Sequence, residues 1–247
     1  MTATPRRLMI VGVATLLVGL LAFFPARVAY HWFAPSTLQL AGIDGTVWRG
    51  SAKEGQAAGL YIRNLHWTFK PLSLLTGKLA FKTRLDSAGG FINTDLYAAL
   101  DGSILFENLD VALSVGALRD LIQTAGLDGR ISLHFTALEI RDGLPVTANG
   151  VAEVTNLFIR GLATTTIGDF RAKFSTTSDG ILASVEDTAG MFDLAGTLRV
   201  SPDGAYYLSG LIAPTPTTPP AVIEQLRFLG SPNERGQREF RFEGQLQ

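Results

Sequence analysis

The 247-residue chain contains no cysteine. Disulfides, thiolate nucleophiles and zinc-cysteine sites are therefore excluded, while the compartment stays open, because an oxidising environment permits disulfides without requiring them. Histidine is scarce. His31, His66 and His134 are the three present; none has a second histidine or an acid at metal-ligand spacing, and no H-E-x-x-H occurs, so no metal site is expected. An excess of either charge is also missing: 21 basic against 22 acidic side chains leave a net charge of -1, and no block of like charge marks a surface for polyanions. Nucleic acid is not an expected partner. G-x-S-x-G and S-x-x-K are absent, and "TGK" at 76–78 fails as a phosphate loop because Leu72 stands where its first glycine is needed. No catalytic residue and no cofactor site are predicted.

One long apolar run is present. Arg6 and Arg7 precede "LMIVGVATLLVGLLAFF", seventeen uncharged residues from Leu8 to Phe24. Extended through "VAYHWF", a segment over 8–29 is long enough to cross about 30 Å of hydrocarbon, with Tyr30 and Trp32 at the interface. The competing reading is a cleaved signal peptide, but "FPA" and "RVA" put Phe24 or Arg27 where a small residue belongs. The expected layout is a cytoplasmic tail over 1–7, a transmembrane anchor over 8–29 and a periplasmic β domain over 30–247. The two N-terminal arginines set that orientation on a bacterial inner membrane.

Beyond the anchor, apolar residues recur with period two. Leu65, Trp67 and Phe69 share one face; Leu79, Phe81, Thr83 and Leu85 repeat the pattern, as do Leu109, Val111, Leu113 and Val115. Ile131, Leu133 and Phe135, then Phe170, Ala172 and Phe174, then Leu194, Leu198 and Val200, and last Phe240, Phe242 and Leu246 continue it. Asp-Gly occurs six times, at 44–45, 101–102, 128–129, 142–143, 179–180 and 203–204, and Asn-Gly once at 149–150. These pairs favour positive φ and predict hairpin turns. Asp44, Gly45, Asp101, Gly102, Asp128 and Gly129 are thus read as turn formers. So is "GIDGTVWRGSA", with Gly45 in the turn.

Helices are predicted over "GALRDLIQTAG" (116–126) and "PAVIEQLRFLG" (220–230), the latter closed by Gly230, with a turn of helix or tight loop at "PLSLLTG" from 71. "APTPTTPP" at 213–220 reads as an extended connection within one domain. The fold class is all-β: a large curved antiparallel sheet, open or folded on itself, with short helices and an N-terminal transmembrane helix. Two short helices cannot roof a dozen strands, so the sheet must curl or offer its apolar face to lipid or a partner. Glu107 with Asp110, and Glu186 with Asp187, are the carboxylate pairs nearest in sequence, and both flank strand ends. Arg238 and Arg241 with Glu239 and Glu243 read as cross-strand charge pairing.

"LAGIDGTVWRGSA", "NLHWTFKPLSLLTGKLAF", "LDGRISL" and "LRFLGSPNERGQREFRFEGQL" together resemble the type II secretion system protein N family, with AsmA-like envelope β proteins as wider relatives. The resemblance implies an accessory inner-membrane component of the apparatus that exports folded proteins from the periplasm across the outer membrane. It implies an interaction role, no cofactor, other inner-membrane secretion subunits as partners, and structural glycines at Gly42, Gly45, Gly50, Gly230 and Gly236. The alternative is an AsmA-like protein that binds or carries lipid on an open apolar groove; an envelope hydrolase would need convergent acids in a cleft.

Overall fold

A run of alternating apolar and polar residues buries one face of a strand and leaves the other wet, and here each run pairs with its neighbour in the chain. The computed structural model describes residues 5–57, 59–87, 89–99, 101–118, 126–161 and 165–246, with side chains from residue 9 onward. Two helices, α1 (Pro5–Ala22) and α2 (Ala26–Phe33), precede β1 (Leu38–Ala41), β2 (Asp44–Gly45), β3 (Arg49–Ala57), β4 (Leu60–Phe69), β5 (Lys78–Ser87), β6 (Gly90–Ala99) and β7 (Ile104–Ser114). Then come β8 (Leu127–Arg141), β9 (Leu144–Ile159), β10 (Gly168–Thr177), β11 (Gly180–Gly190), β12 (Phe192–Val200), β13 (Ala205–Pro214), α3 (Pro220–Leu226) and β14 (Arg238–Gln245). The described strands form one antiparallel 14-stranded sheet in chain order, with β2 set off beside β3. Among the described residues β1 and β14 do not pair, so the sheet is open.

Open does not mean flat. Leu144 opens β9, and a Cβ added at Gly204, in the turn between β12 and β13, would lie 2.8 Å from its Cδ2. In a flat sheet those points stand three to four strand spacings apart, roughly 15–19 Å. The bend is built from glycine-aromatic pairs: where a strand carries glycine, the ring opposite can lie down across it. Trp67 does so over Gly50, Tyr206 over Gly244, and Phe240 over both Gly210 and Gly196. Phe135 and Phe174 flank Gly150 from either side with ring centroids 5.4 Å apart, so Asn149-Gly150 lies inside β9 and not in a turn.

The inner face holds the core. Leu109, Val111 and Leu113 of β7 are buried with Phe135, Ala148, Ile181 and Val200, while α3 seats Val222 and Leu226 against Met191, Phe192, Ile212 and Phe240. A 3-10 turn (Arg227–Leu229) follows α3 and stops at Gly230, whose φ is 101°. The Pro-rich stretch is part strand and part connection, since β13 runs to Pro214 and α3 begins at Pro220. A 3-10 turn also covers Pro71–Thr76. Of the helix expected over 116–126, a 3-10 turn at Val115–Leu118 is seen; 119–125 lie outside the described residues.

The N-terminal segment corrects the expectation of a single span over 8–29. Pro25 lacks an amide hydrogen and sits extended, at φ -67° and ψ 134°, so α1 stops at Ala22 and α2 starts afresh at Ala26. Among the described residues no helix is long and apolar enough to cross a membrane. Tyr30 is drawn to the sheet: its hydroxyl donates to the Leu38 carbonyl at 3.0 Å and accepts the Leu40 amide at 2.9 Å.

Candidate functional site

Beneath α2 the inner face is incompletely filled. Residues three and four apart on a helix share a face, and Ala26, Ala29 and Tyr30 look down on Leu40, Ile43, Leu65, Trp67, Phe81 and Leu96 across a trough of about 340 Å³. The roof is tied firmly. Arg27 donates to the Ile43 carbonyl at 2.5 Å and to the Asp44 carboxylate at 2.7 Å. The Val47 amide bonds the Phe24 carbonyl at 3.0 Å, and the Trp48 indole bonds the Leu21 carbonyl at 2.7 Å. In the floor, Trp67 lies on Gly50 and donates to the Thr46 carbonyl at 3.3 Å. Thr83 adds a hydroxyl to an otherwise apolar lining. Such a trough suits an acyl chain or an apolar side chain and offers little to orient a polar substrate.

The predicted turn residues divide in two. Asp101 and Gly102 lie between β6 and β7, where Gly102 has φ 83° and the Asp101 carboxylate accepts the Ser103 amide at 3.0 Å and hydroxyl at 2.8 Å. Those two bonds, the amide first, hold the Asp101 carboxyl below its ordinary pKa. Gly236 (φ 78°) sits in a turn whose Arg235 and Gln237 amides donate to the Asn233 side chain. Asp44 and Gly45, by contrast, do not reverse the chain: they pair with Ser51 and Gly50, and the reversal falls at Val47 and Trp48. Asp128 and Gly129 form a bulge inside β8, with the Gly129 amide bonded to the Asp128 side chain at 2.8 Å. Positive φ serves a bulge as well as a turn, which is why Asp-Gly stands in both places.

The carboxylate pairs do not converge. Asp110 turns to His134 at 3.0 Å, Glu107 stands opposite Asp95, Glu186 is 4.0 Å from Arg171, and Asp187 accepts the Leu194 amide at 2.6 Å. Arg241 meets Glu239 along its own strand at 3.1 Å, not across strands. On the outer face Lys70 pairs with Asp95 at 2.9 Å; burial works to lower the Lys70 pKa, but bonds to Asp95 and Tyr97 outweigh it and raise the value. Among the described residues no three metal-capable side chains cluster.

Three asparagines within the strands, Asn64, Asn108 and Asn156, are left-handed, with φ of 48°, 49° and 52°, and period-two alternation does not reveal them. Each marks a register shift, and each is tied to an aspartate on a neighbouring strand: Asn64 to Asp86 at 3.2 Å, Asn108 to Asp95 at 3.4 Å, and the Asn156 amide to Asp169 at 2.7 Å. All three are followed by leucine. A recurring Asn-Leu inside an alternating run is the signal that could have located them.

A sequence model of the family described as type II secretion system (T2SS), protein N matches residues 36–241. The chain belongs to the type II secretion system protein N family. Relatives of that name occur in Aeromonas hydrophila, 22% identical over 223 residues and 86% of each chain, and in Vibrio cholerae serotype O1, 25% identical over 245 residues and 94% of each chain. No solved structure matches. The stretch that defines protein N begins just before β1 and ends within β14, so it covers the sheet and the trough floor and leaves out α1 and α2.

Proposed function

We propose that this protein serves type II secretion as an accessory, non-enzymatic scaffold, held on a bacterial inner membrane by α1 with its sheet in the periplasm. The supporting observation is an apolar helix joined to an open sheet. Met9, Val11, Leu16, Val18 and Leu21 are exposed on different sides of α1, and a helix apolar all round needs lipid or protein about it. At 1.5 Å per residue its 18 residues extend about 27 Å, short of the roughly 30 Å of hydrocarbon, so α1 alone does not span and needs the apolar residues that follow it. Phe23 and Phe24 prolong the apolar column, and Arg6 and Arg7 keep the other end cytoplasmic. In the periplasm the outer edge of β1 is capped by the Tyr30 hydroxyl, and β14 at the far end of the sheet offers the edge to which a strand of another secretion subunit can add.

The test is gene deletion, with secreted enzymes assayed in culture supernatant and periplasm and the full chain supplied for complementation. Periplasmic retention that the full chain reverses is the expected result; normal export would overturn the reading. A second function is favoured by the trough itself: a lipid acyl chain lying between Tyr30 and Trp67. Phospholipid co-purifying with the protein, and lost on Leu65→Asp, is the expected result for that activity.

A further inference from the structure

We infer that the loop Pro71–Thr76 is a second membrane contact, its leucines entering the periplasmic leaflet of the bilayer that holds α1. This rests on the reading that α1 lies in lipid. Leu72, Leu74 and Leu75 are 77%, 52% and 85% exposed, and Leu79 just beyond is also exposed. Three exposed leucines in six residues are unusual for a turn facing water.

Position in the sheet decides the occupant. The loop joins β4 to β5 at the same end of the sheet as the Val47-Trp48 reversal, and that reversal is bonded to the last turn of α1 through Trp48 and Leu21. The Phe69 amide donates to the Trp48 carbonyl at 2.6 Å and the two rings stand 4.8 Å apart, so the leucines begin three residues beyond a direct contact with the residue that ties the sheet to α1. With strands about 4.8 Å apart, the loop lies within roughly 10 Å of that residue.

Charge points the same way. Lys78 follows the leucines with no acid between, a cation placed to meet anionic headgroups beside an apolar tip, while Lys70 on their other side is paired with Asp95. The described turns farther along this end of the sheet are Asp101–Ser103, Asp142-Gly143, Ser178-Asp179 and Pro202–Gly204. Each carries an aspartate and none a lysine or arginine. One end of one sheet therefore grades from an uncharged apolar loop beside α1 to polar and acidic turns away from it, as expected of a sheet tilted with its first hairpins on the bilayer.

Because the chain has no cysteine, a single introduced one is a unique labelling site. Leu75→Cys, Val18→Cys and Ser178→Cys, each in the full chain, are labelled with an environment-sensitive fluorophore. The proteins are reconstituted in phosphatidylethanolamine/phosphatidylglycerol vesicles and titrated with brominated lipid. Strong quenching at positions 18 and 75, with position 178 unaffected, is the expected result. Quenching at 18 but not 75 overturns the loop contact and leaves anchoring intact. No quenching anywhere overturns both, and quenching at all three positions overturns a contact confined to the first hairpins.

Discussion

The two short helices on the inner face meet it differently. α3 plugs its end: Val222 and Leu226 are buried among Met191, Phe192, Ile212 and Phe240, and the ring of Phe240 closes over two glycines. α2 bridges its end, with Ala26 buried on Ile43 and Ala52 and Tyr30 bonded at its hydroxyl, and the trough left below. Both rest on the same device, an aromatic ring laid across a strand glycine. The difference is in side-chain volume: leucine, valine and methionine fill one end, while alanines face the other. A filled end stabilises the fold; an unfilled end has room for something else.

Phe240→Ala should break this comparison most severely, with a loss of about 3–5 kcal/mol in denaturant unfolding, since it opens a cavity over Gly210 and Gly196. Trp67→Ala removes the matching ring beside a space already open, so its loss should be roughly half as large. Equal losses in the two melts would mean that the ends are packed alike. Asn64→Ala keeps the Cβ but removes the short amide side chain that eases a left-handed backbone, and should cost about 1–2 kcal/mol, whereas Asn64→Gly should recover most of it.

Asp101→Asn gives the smallest effect and the one that depends on pH. The folded state lowers the Asp101 pKa, so its contribution is present above the ordinary carboxyl value of 3.8 and disappears as pH falls through the lower folded value. Melts of the two proteins should differ at neutral pH and converge in acid.

Much of the sheet was legible because burial has period two. Leu109, Val111, Leu113 and Val115 alternate in the sequence and all are buried in the structure. Curvature was not legible, since it depends on which glycine faces which ring, and Gly150 meets Phe135 and Phe174 only once register is fixed. The Asp-Gly pairs show the limit of local reading: the same dipeptide reverses the chain at 142–143 and bulges it at 128–129. An open apolar groove belongs only to the alternative, lipid-binding reading of the sequence, and the span expected over 8–29 takes in the roof of the trough although Pro25 already interrupts the apolar run.

Strand order that follows chain order also carries a consequence for synthesis. Past the first hairpin, each strand finds its partner in the segment just before it, and none waits for a distant part of the chain. Short loop closures cost little entropy and pair quickly. A nascent chain can therefore zip up hairpin by hairpin as it appears. Its exposed growing edge is covered by each new arrival, until Phe240 in the last strand locks α3 in place.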